Sequence, residues 1–294
     1  MTPLDRVTFT VSQLAAAPLV DIRQTVADRG LAVVRGLFDR DELRGALAQF
    51  KEQFDSSQDA RHDPRDSAAV RTNFQKLQIG ANSGLNSLRT LGRFMRVFYN
   101  PIFAADVYGL RSSFVTMARF RNLLYNLPLD YGVYGTEGGF WTCSRLQQYP
   151  SGGGFMVPHR DHYAQAATLA EGLGYFQVLL LLTEKGVDFE SGGAYIDVGD
   201  KRWLYEDGCR TGDLIVYDGQ TMHGVADIDP MAPLELTRLT GRVVAMASLF
   251  RVFDAGGADY EALARTADTV LGNERASAPA SDAARVATPE PTAP

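Results

Sequence analysis

Apolar positions follow two spacings along this chain, and the change from one to the other divides it. In the first part, helical and strand periods alternate. Asp21 to Asp28 reads as a helix, and Gly30-Leu-Ala-Val-Val-Arg35 as a buried strand between glycines. Asp39 reads as the N-cap of a helix from Arg40 to about Phe54, with Leu43, Leu47 and Phe50 at three- and four-residue spacing as its buried face. Residues 71 to 135 are less regular. There, Phe74 to Ile79 reads as a strand, Leu85 to Tyr99 as a helix ending before Pro101, Phe103 to Leu110 as a shorter helix, and Phe114 to Phe120 as another strand.

An aromatic stretch follows, containing Tyr125, Tyr131, Tyr134, Phe140 and Trp141. Such clusters are more often core than pocket, yet Gly132, Gly135, Gly138 and Gly139 break this one in the manner of a loop over a cavity, where substrate specificity is expected. From Thr142 onward, strands dominate. They are Leu146 to Tyr149, Phe155 to Asp161, Tyr175 to Thr183, Ala194 to Val198, Leu214 to Tyr217 and Gly241 to Phe253, while Trp203-Leu-Tyr docks a connecting loop. Short strands punctuated by glycine argue for a barrel or sandwich, and the unbroken apolar run in Tyr175 to Thr183 for a strand buried on both faces. A helix over Asp259 to Leu271 is expected to close a single domain spanning 1–272. The Ala-, Pro-, Ser- and Thr-rich tail, 273–294, has no apolar period and is expected to be disordered.

Composition narrows the function classes. The 294 residues carry 35 acidic and 29 basic side chains, a net charge of −6, and no basic run that would point to nucleic acid. No apolar stretch reaches the length of a membrane span and the N-terminus carries no leader pattern, so a cytoplasmic location is expected. Cys143 and Cys209 stand far apart without metal-type spacing and read as free thiols.

Of the four histidines, His62, His159, His162 and His223, two are candidates for chemistry. If Phe155 to Asp161 is a strand, its two-residue period puts His159 and Asp161 on one face and turns Arg160 and His162 away. Downstream, Gly212-Asp-Leu-Ile-Val-Tyr-Asp-Gly-Gln-Thr-Met-His223-Gly reads as a turn, a short strand and a loop that delivers His223. Two imidazoles and one carboxylate on one face of an octahedral ion leave positions open, the donor set that suits a non-haem Fe(II) oxygenase. His62 lies in a polar, turn-rich segment and reads as a solvated loop residue, and His162 is a candidate for supporting a ligand or touching substrate.

His159-Arg-Asp161, Phe176-Gln-Val-Leu-Leu-Leu-Leu-Thr183, Glu190-Ser-Gly-Gly-Ala194, Gly212-Asp-Leu-Ile-Val-Tyr-Asp218, His223-Gly-Val and Gly241-Arg-Val-Val-Ala-Met-Ala-Ser248 occur in series. Together they resemble the Fe(II)/2-oxoglutarate-dependent dioxygenases, most closely the phytanoyl-CoA-hydroxylase-like branch, over roughly 140–253. A weaker echo lies at Asp28 to Phe38. The resemblance implies a mainly β fold with flanking helices: a double-stranded β-helix, or jelly roll, over about 141–253, with a helical, substrate-covering region over about 55–140. It implies Fe(II) held by His159, Asp161 and His223, with 2-oxoglutarate and O2 as cosubstrates. Oxidative decarboxylation to succinate and CO2 would accompany oxidation, usually hydroxylation, of a small organic molecule such as a specialised-metabolite intermediate. The presence of Asp161 argues against a halogenase, in which a small residue replaces the carboxylate ligand.

The far carboxylate of 2-oxoglutarate needs a cation, best a planar guanidinium. Arg242, at the start of the strand after the distal histidine, matches the family's place, and Arg238 in the loop Asp227 to Thr240 competes with it. Residues 242, 244, 246 and 248 share a face, which would put Arg242 and Ser248 inside. Arg145, Gln147 and Tyr149 share another such face, and Tyr149 is the further cosubstrate contact that the family implies. Two other readings stay open: a cupin-type metalloenzyme that needs no 2-oxoglutarate, and a non-catalytic ligand-binding barrel.

Overall fold

The computed structural model describes residues 2–60, 73–79, 92–135, 139–161 and 173–251, all inside a unit running Met1–Gly256. The helix expected at 259–271, the tail, His62 and His162 lie outside the described residues. The chain opens with β1 (Thr8–Thr10), α1 (Leu19–Arg29), β2 (Ala32–Arg35) and α2 (Arg40–Gln53). Asp39 caps α2 as expected: its carboxylate accepts hydrogen bonds from the backbone N–H groups of Asp41 and Glu42, both 2.9 Å. Leu43, Leu47 and Phe50 form the buried face of α2.

Next come β3 (Phe74–Gln78), β4 (Gly92–Arg93), β5 (Met95–Tyr99) and α3 (Arg111–Leu124). Two expectations are corrected here. Residues 92–99 are strands rather than the end of a helix, because β5 is paired on both edges, by β3 and by the next strand along the sheet. Residues 114–120 belong to α3 rather than a strand: Phe114, Met117, Ala118 and Leu124 recur at helical spacing and are all buried. The shorter helix expected at 103–110 is replaced by turns and bends.

Strands β6 (Phe140–Tyr149), β7 (Gly154–His159), β8 (Phe176–Leu181), β9 (Gly193–Val198), β10 (Lys201–Leu204), β11 (Leu214–Asp218), β12 (Met222–Ile228) and β13 (Arg242–Arg251) complete the fold. The segment around Trp203, expected in a connecting loop, is strand β10, and the segment carrying His223, also expected to be a loop, is strand β12. An eight-stranded sheet runs β1-β2-β11-β8-β13-β6-β5-β3, and a five-stranded sheet runs β10-β9-β12-β7-β4. Within them, β11-β8-β13-β6 faces β10-β9-β12-β7, and the chain passes back and forth between the two sheets. This is the double-stranded β-helix, mainly β with flanking helices.

Side-chain alternation along β13 shows how the two layers are filled. Val243, Ala245, Ala247 and Leu249 turn outward into a core shared with Ile22, Leu47, Phe114 and Met117 of the helices. Val244 and Met246 turn inward and pack with Leu179, Leu181, Ile196 and Val225 between the sheets. Both faces are therefore buried, which accounts for the unbroken apolar run through β8. Gly241 sets where β13 begins: its φ is +74°, and a Cβ there would overlap the carbonyl oxygen of Tyr149 and the amide of Ser151. Among the described residues, no helix is long and apolar enough to cross a membrane.

Candidate metal centre

The smaller sheet brings the two histidines together. His159 is the last residue of β7 and His223 the second of β12, and they are register partners in this antiparallel pair. The register shifts between His223 and Val225, an irregularity of the kind that re-aims side chains beside functional sites. The imidazole rings lie 4.3 Å apart, centroid to centroid. Asp161 stands two positions beyond His159, past the end of the strand rather than on it as the period implied, yet it still turns back to the pair.

The carboxylate sits between the rings. One oxygen of Asp161 is 3.8 Å from Nε2 of His159, and the other is 3.8 Å from Nε2 of His223. The three potential ligand atoms lie within 4.8 Å of one another. Each Nδ1 is 2.9 Å from a backbone carbonyl oxygen two residues earlier, that of Val157 for His159 and of Thr221 for His223. A carbonyl only accepts, so each Nδ1 carries the proton and donates it. In the neutral imidazole this leaves each Nε2 with its lone pair facing Asp161, the tautomer a metal requires. Burial lowers the pKa of His223 against the opposing pull of the nearby Asp161 charge, so this imidazole is neutral at neutral pH.

The three side chains therefore fit a divalent cation in charge, tautomer and spacing. His159 and Asp161 remain half-buried, which keeps a path open from solvent.

The other expected site residues all lie in the space between the sheets. Tyr149, Arg242 and Ser248 are buried there, on the faces that the strand period implied. Arg238 is exposed and does not reach the interior. Arg242 has a partner that no local pattern announced. Its Nε and Nη2 donate to both oxygens of Glu206 at 2.7–3.0 Å, and the second oxygen of Glu206 also accepts from the N–H of Ala194. Burial alone would lower the Arg242 pKa, but the Glu206 charge outweighs it and the net shift is upward. The guanidinium stands 5.3 Å from the ring centre of Tyr149, whose hydroxyl donates to Gln147 at 3.3 Å. Burial pushes the Tyr149 phenol up to about 12, so it stays protonated.

Ser248 belongs to a chain that leads to the metal ligands. Arg145 Nη1 donates to Ser248 Oγ at 3.1 Å, Ser248 donates to Gln177 Oε1 at 2.9 Å, and Tyr175 lies within 3.3 Å of both Gln177 Oε1 and Asp161 Oδ2. Gln177 falls within the Phe176 to Thr183 motif but carried no assigned role there, and Tyr175 lies outside every motif. Their position on β8 and just before it, under the metal site, is visible only once the sheets are paired. Tyr175→Phe removes the hydroxyl that steadies Asp161 and is expected to weaken Fe(II) binding about 10–100-fold with an unchanged melting temperature, measured by metal titration alongside a thermal melt.

No family model matches the sequence, and no curated protein matches it. Solved structures give distant likenesses. A prolyl-4-hydroxylase from Pseudomonas putida is 15% identical, with 79% of this chain and 98% of that one covered at a TM-score of 0.47. A prolyl hydroxylase from Trichoplax adhaerens, in complex with a hypoxia-inducible-factor peptide, is 11% identical, covering 79% and 89% at 0.46. The non-haem α-ketoglutarate-dependent epimerase SnoN from nogalamycin biosynthesis is 15% identical, covering 81% and 84% at 0.46. Likenesses this remote carry no functional weight, and the chemistry rests on this chain's own side chains.

Proposed function

We propose that this protein is an Fe(II)- and 2-oxoglutarate-dependent oxygenase that uses O2 to oxidise, most directly to hydroxylate, a small organic molecule. We place it with the phytanoyl-CoA-hydroxylase-like branch, as a tailoring enzyme for a specialised metabolite. The observation that carries the reading is the convergence of His159, Asp161 and His223, with both Nε2 lone pairs turned toward the carboxylate, inside a double-stranded β-helix.

Three protein ligands on one side of an octahedral ion leave room for a chelating oxoacid and O2. Fe(II) held there would bind and activate O2, the oxidant, with the oxoacid giving up two of the four electrons that O2 takes and the substrate the other two. The chain's own residues set the conditions. Val157 and Thr221 hold the imidazoles in one tautomer, Tyr175 steadies Asp161, and the apolar lining of Leu179, Ile196, Val225 and Met246 limits water inside. A cupin-type centre would more often present three or four imidazoles, and the described residues present two.

The test is succinate formation. With Fe(II), 2-oxoglutarate and O2, the wild-type protein is expected to release succinate slowly even without its substrate, and faster when a substrate is found. His223→Ala should release none. Succinate that does not depend on His223, or a wild-type protein that binds Fe(II) yet never consumes 2-oxoglutarate, counts against the proposal.

A further inference from the structure

Among the described residues, two guanidinium groups lie on the strand faces turned to the space between the sheets, and they differ in charge balance. Arg242 is neutralised by Glu206 through three contacts of 2.7–3.0 Å. Arg145, 9% exposed on the inward face of β6, has no carboxylate opposite it among the described residues. It meets the Ser248 hydroxyl and the ring of Phe250, 5.2 Å from the guanidinium. The acidic groups that act on it are the thiol of Cys143 and the phenols of Tyr99 and Tyr175. Burial pushes Cys143 up to about 11, so it is neutral at neutral pH, as a phenol is by its ordinary value. A buried cation without a counter-charge is costly, and an anion received as a ligand would offset that cost.

Charge counting says which anion. With a divalent metal bound, its charge, the Asp161 carboxylate, the neutral Arg242–Glu206 pair and Arg145 would together leave two net positive charges around the metal site. That is matched by a dianion, not by a monoanionic oxoacid. The hydrogen-bond chain Arg145–Ser248–Gln177–Tyr175–Asp161 places the guanidinium on the same side of the interior as the metal ligands.

Taking the proposed function as the premise, we infer that Arg145, with Ser248 beside it, receives the far carboxylate of the 2-oxoacid and selects a dianionic one, while Arg242 serves to neutralise Glu206. The cation that reads the cosubstrate then stands on the first strand of the barrel core instead of the last.

Two probes separate this role from others. 2-Oxoglutarate and 2-oxobutyrate share the chelating head, but only the first has a far carboxylate. Each is titrated anaerobically into the Fe(II)-loaded protein, with binding read from the visible band of the chelate. Wild type is expected to prefer 2-oxoglutarate by about tenfold or more, the worth of one charge-assisted carboxylate contact. Arg145→Gln should lose that preference by weakening 2-oxoglutarate alone, with 2-oxobutyrate held within about twofold. Arg145→Lys keeps the charge without the fork and should recover part of the loss.

The Glu206→Gln/Arg242→Gln double variant, which removes the paired charges together, should bind 2-oxoglutarate within a few-fold of wild type. The inference is overturned by an Arg145→Gln protein that binds 2-oxoglutarate normally. It is equally overturned by one that weakens both acids alike, which marks a structural role, or by loss of 2-oxoglutarate binding in the double variant. A wild-type protein that holds Fe(II) but forms no chelate with either acid refutes the proposed function itself.

Discussion

Asp161→Ala is expected to abolish tight Fe(II) binding while leaving the barrel folded. Asp161 supplies the only carboxylate of the three-residue cluster, and its oxygens lie 3.8 Å from the Nε2 atoms of both histidines. Without it, two neutral imidazoles remain, and the affinity loss should exceed the 10–100-fold typical of losing a supporting contact. The fold should survive because the side chain is only half-buried and little depends on it. Tyr175, which donates toward it, retains Gln177 as an acceptor at 3.3 Å. Metal titration in chloride-free buffer, so that no halide takes the vacated position, together with a thermal melt of the metal-free protein, checks both halves. Tight iron binding by the variant would mean that the ligand set has been misassigned.

Arg242→Gln should have the opposite character, a large loss of stability. Arg242 and Glu206 are 2% and 4% exposed in their side chains. Removing the guanidinium leaves a buried carboxylate with the Ala194 N–H as its remaining donor among the described residues. Breaking such a pair from one side costs about 3–5 kcal/mol, whereas replacing both members is often close to neutral. Adding Glu206→Gln to the variant should therefore restore most of the stability. Urea midpoints for the two single variants and the double variant measure this. A double variant as unstable as Arg242→Gln would show that the destabilisation comes from lost packing instead of an unpaired charge.

These two sites also show what the sequence could and could not reveal. The His159 and Asp161 pair was legible because two residues of separation constrain geometry in any extended segment, and the glycine-bounded strands told where the third ligand should come from. The inward orientation of Arg242, Ser248 and Tyr149 was legible for the same reason, since a period of two needs no knowledge of neighbouring strands. The partner of Arg242 was not. Glu206 comes from a single 3-10 turn, Tyr205–Gly208, and meets Arg242 only because the fold brings that turn against both β9 and β13. Nor was the lack of a carboxylate opposite Arg145 among the described residues, which depends on how the strands pair.

The misread elements have a common cause. In α3, Phe114, Val115 and Phe120 are bulky or β-branched residues that imitate a strand, and burial against β13 and β8 overrides that preference. In β5, Met95 to Phe98 are buried consecutively, so the alternation that marks a half-exposed strand is missing. Strand β12 escaped notice because its glycine and small residues pair between β7 and β9 without a clear apolar period of their own.

The most direct test of the account is anaerobic titration of the metal-free wild-type protein, first with Fe(II) and then with 2-oxoglutarate, watching for the weak visible charge-transfer band of the chelate. The account expects one Fe(II) per chain and a band that appears only when both are present, saturates with 2-oxoglutarate, and is absent in Asp161→Ala. Iron bound by the intact His159, Asp161 and His223 with no band at any concentration of 2-oxoglutarate would contradict it.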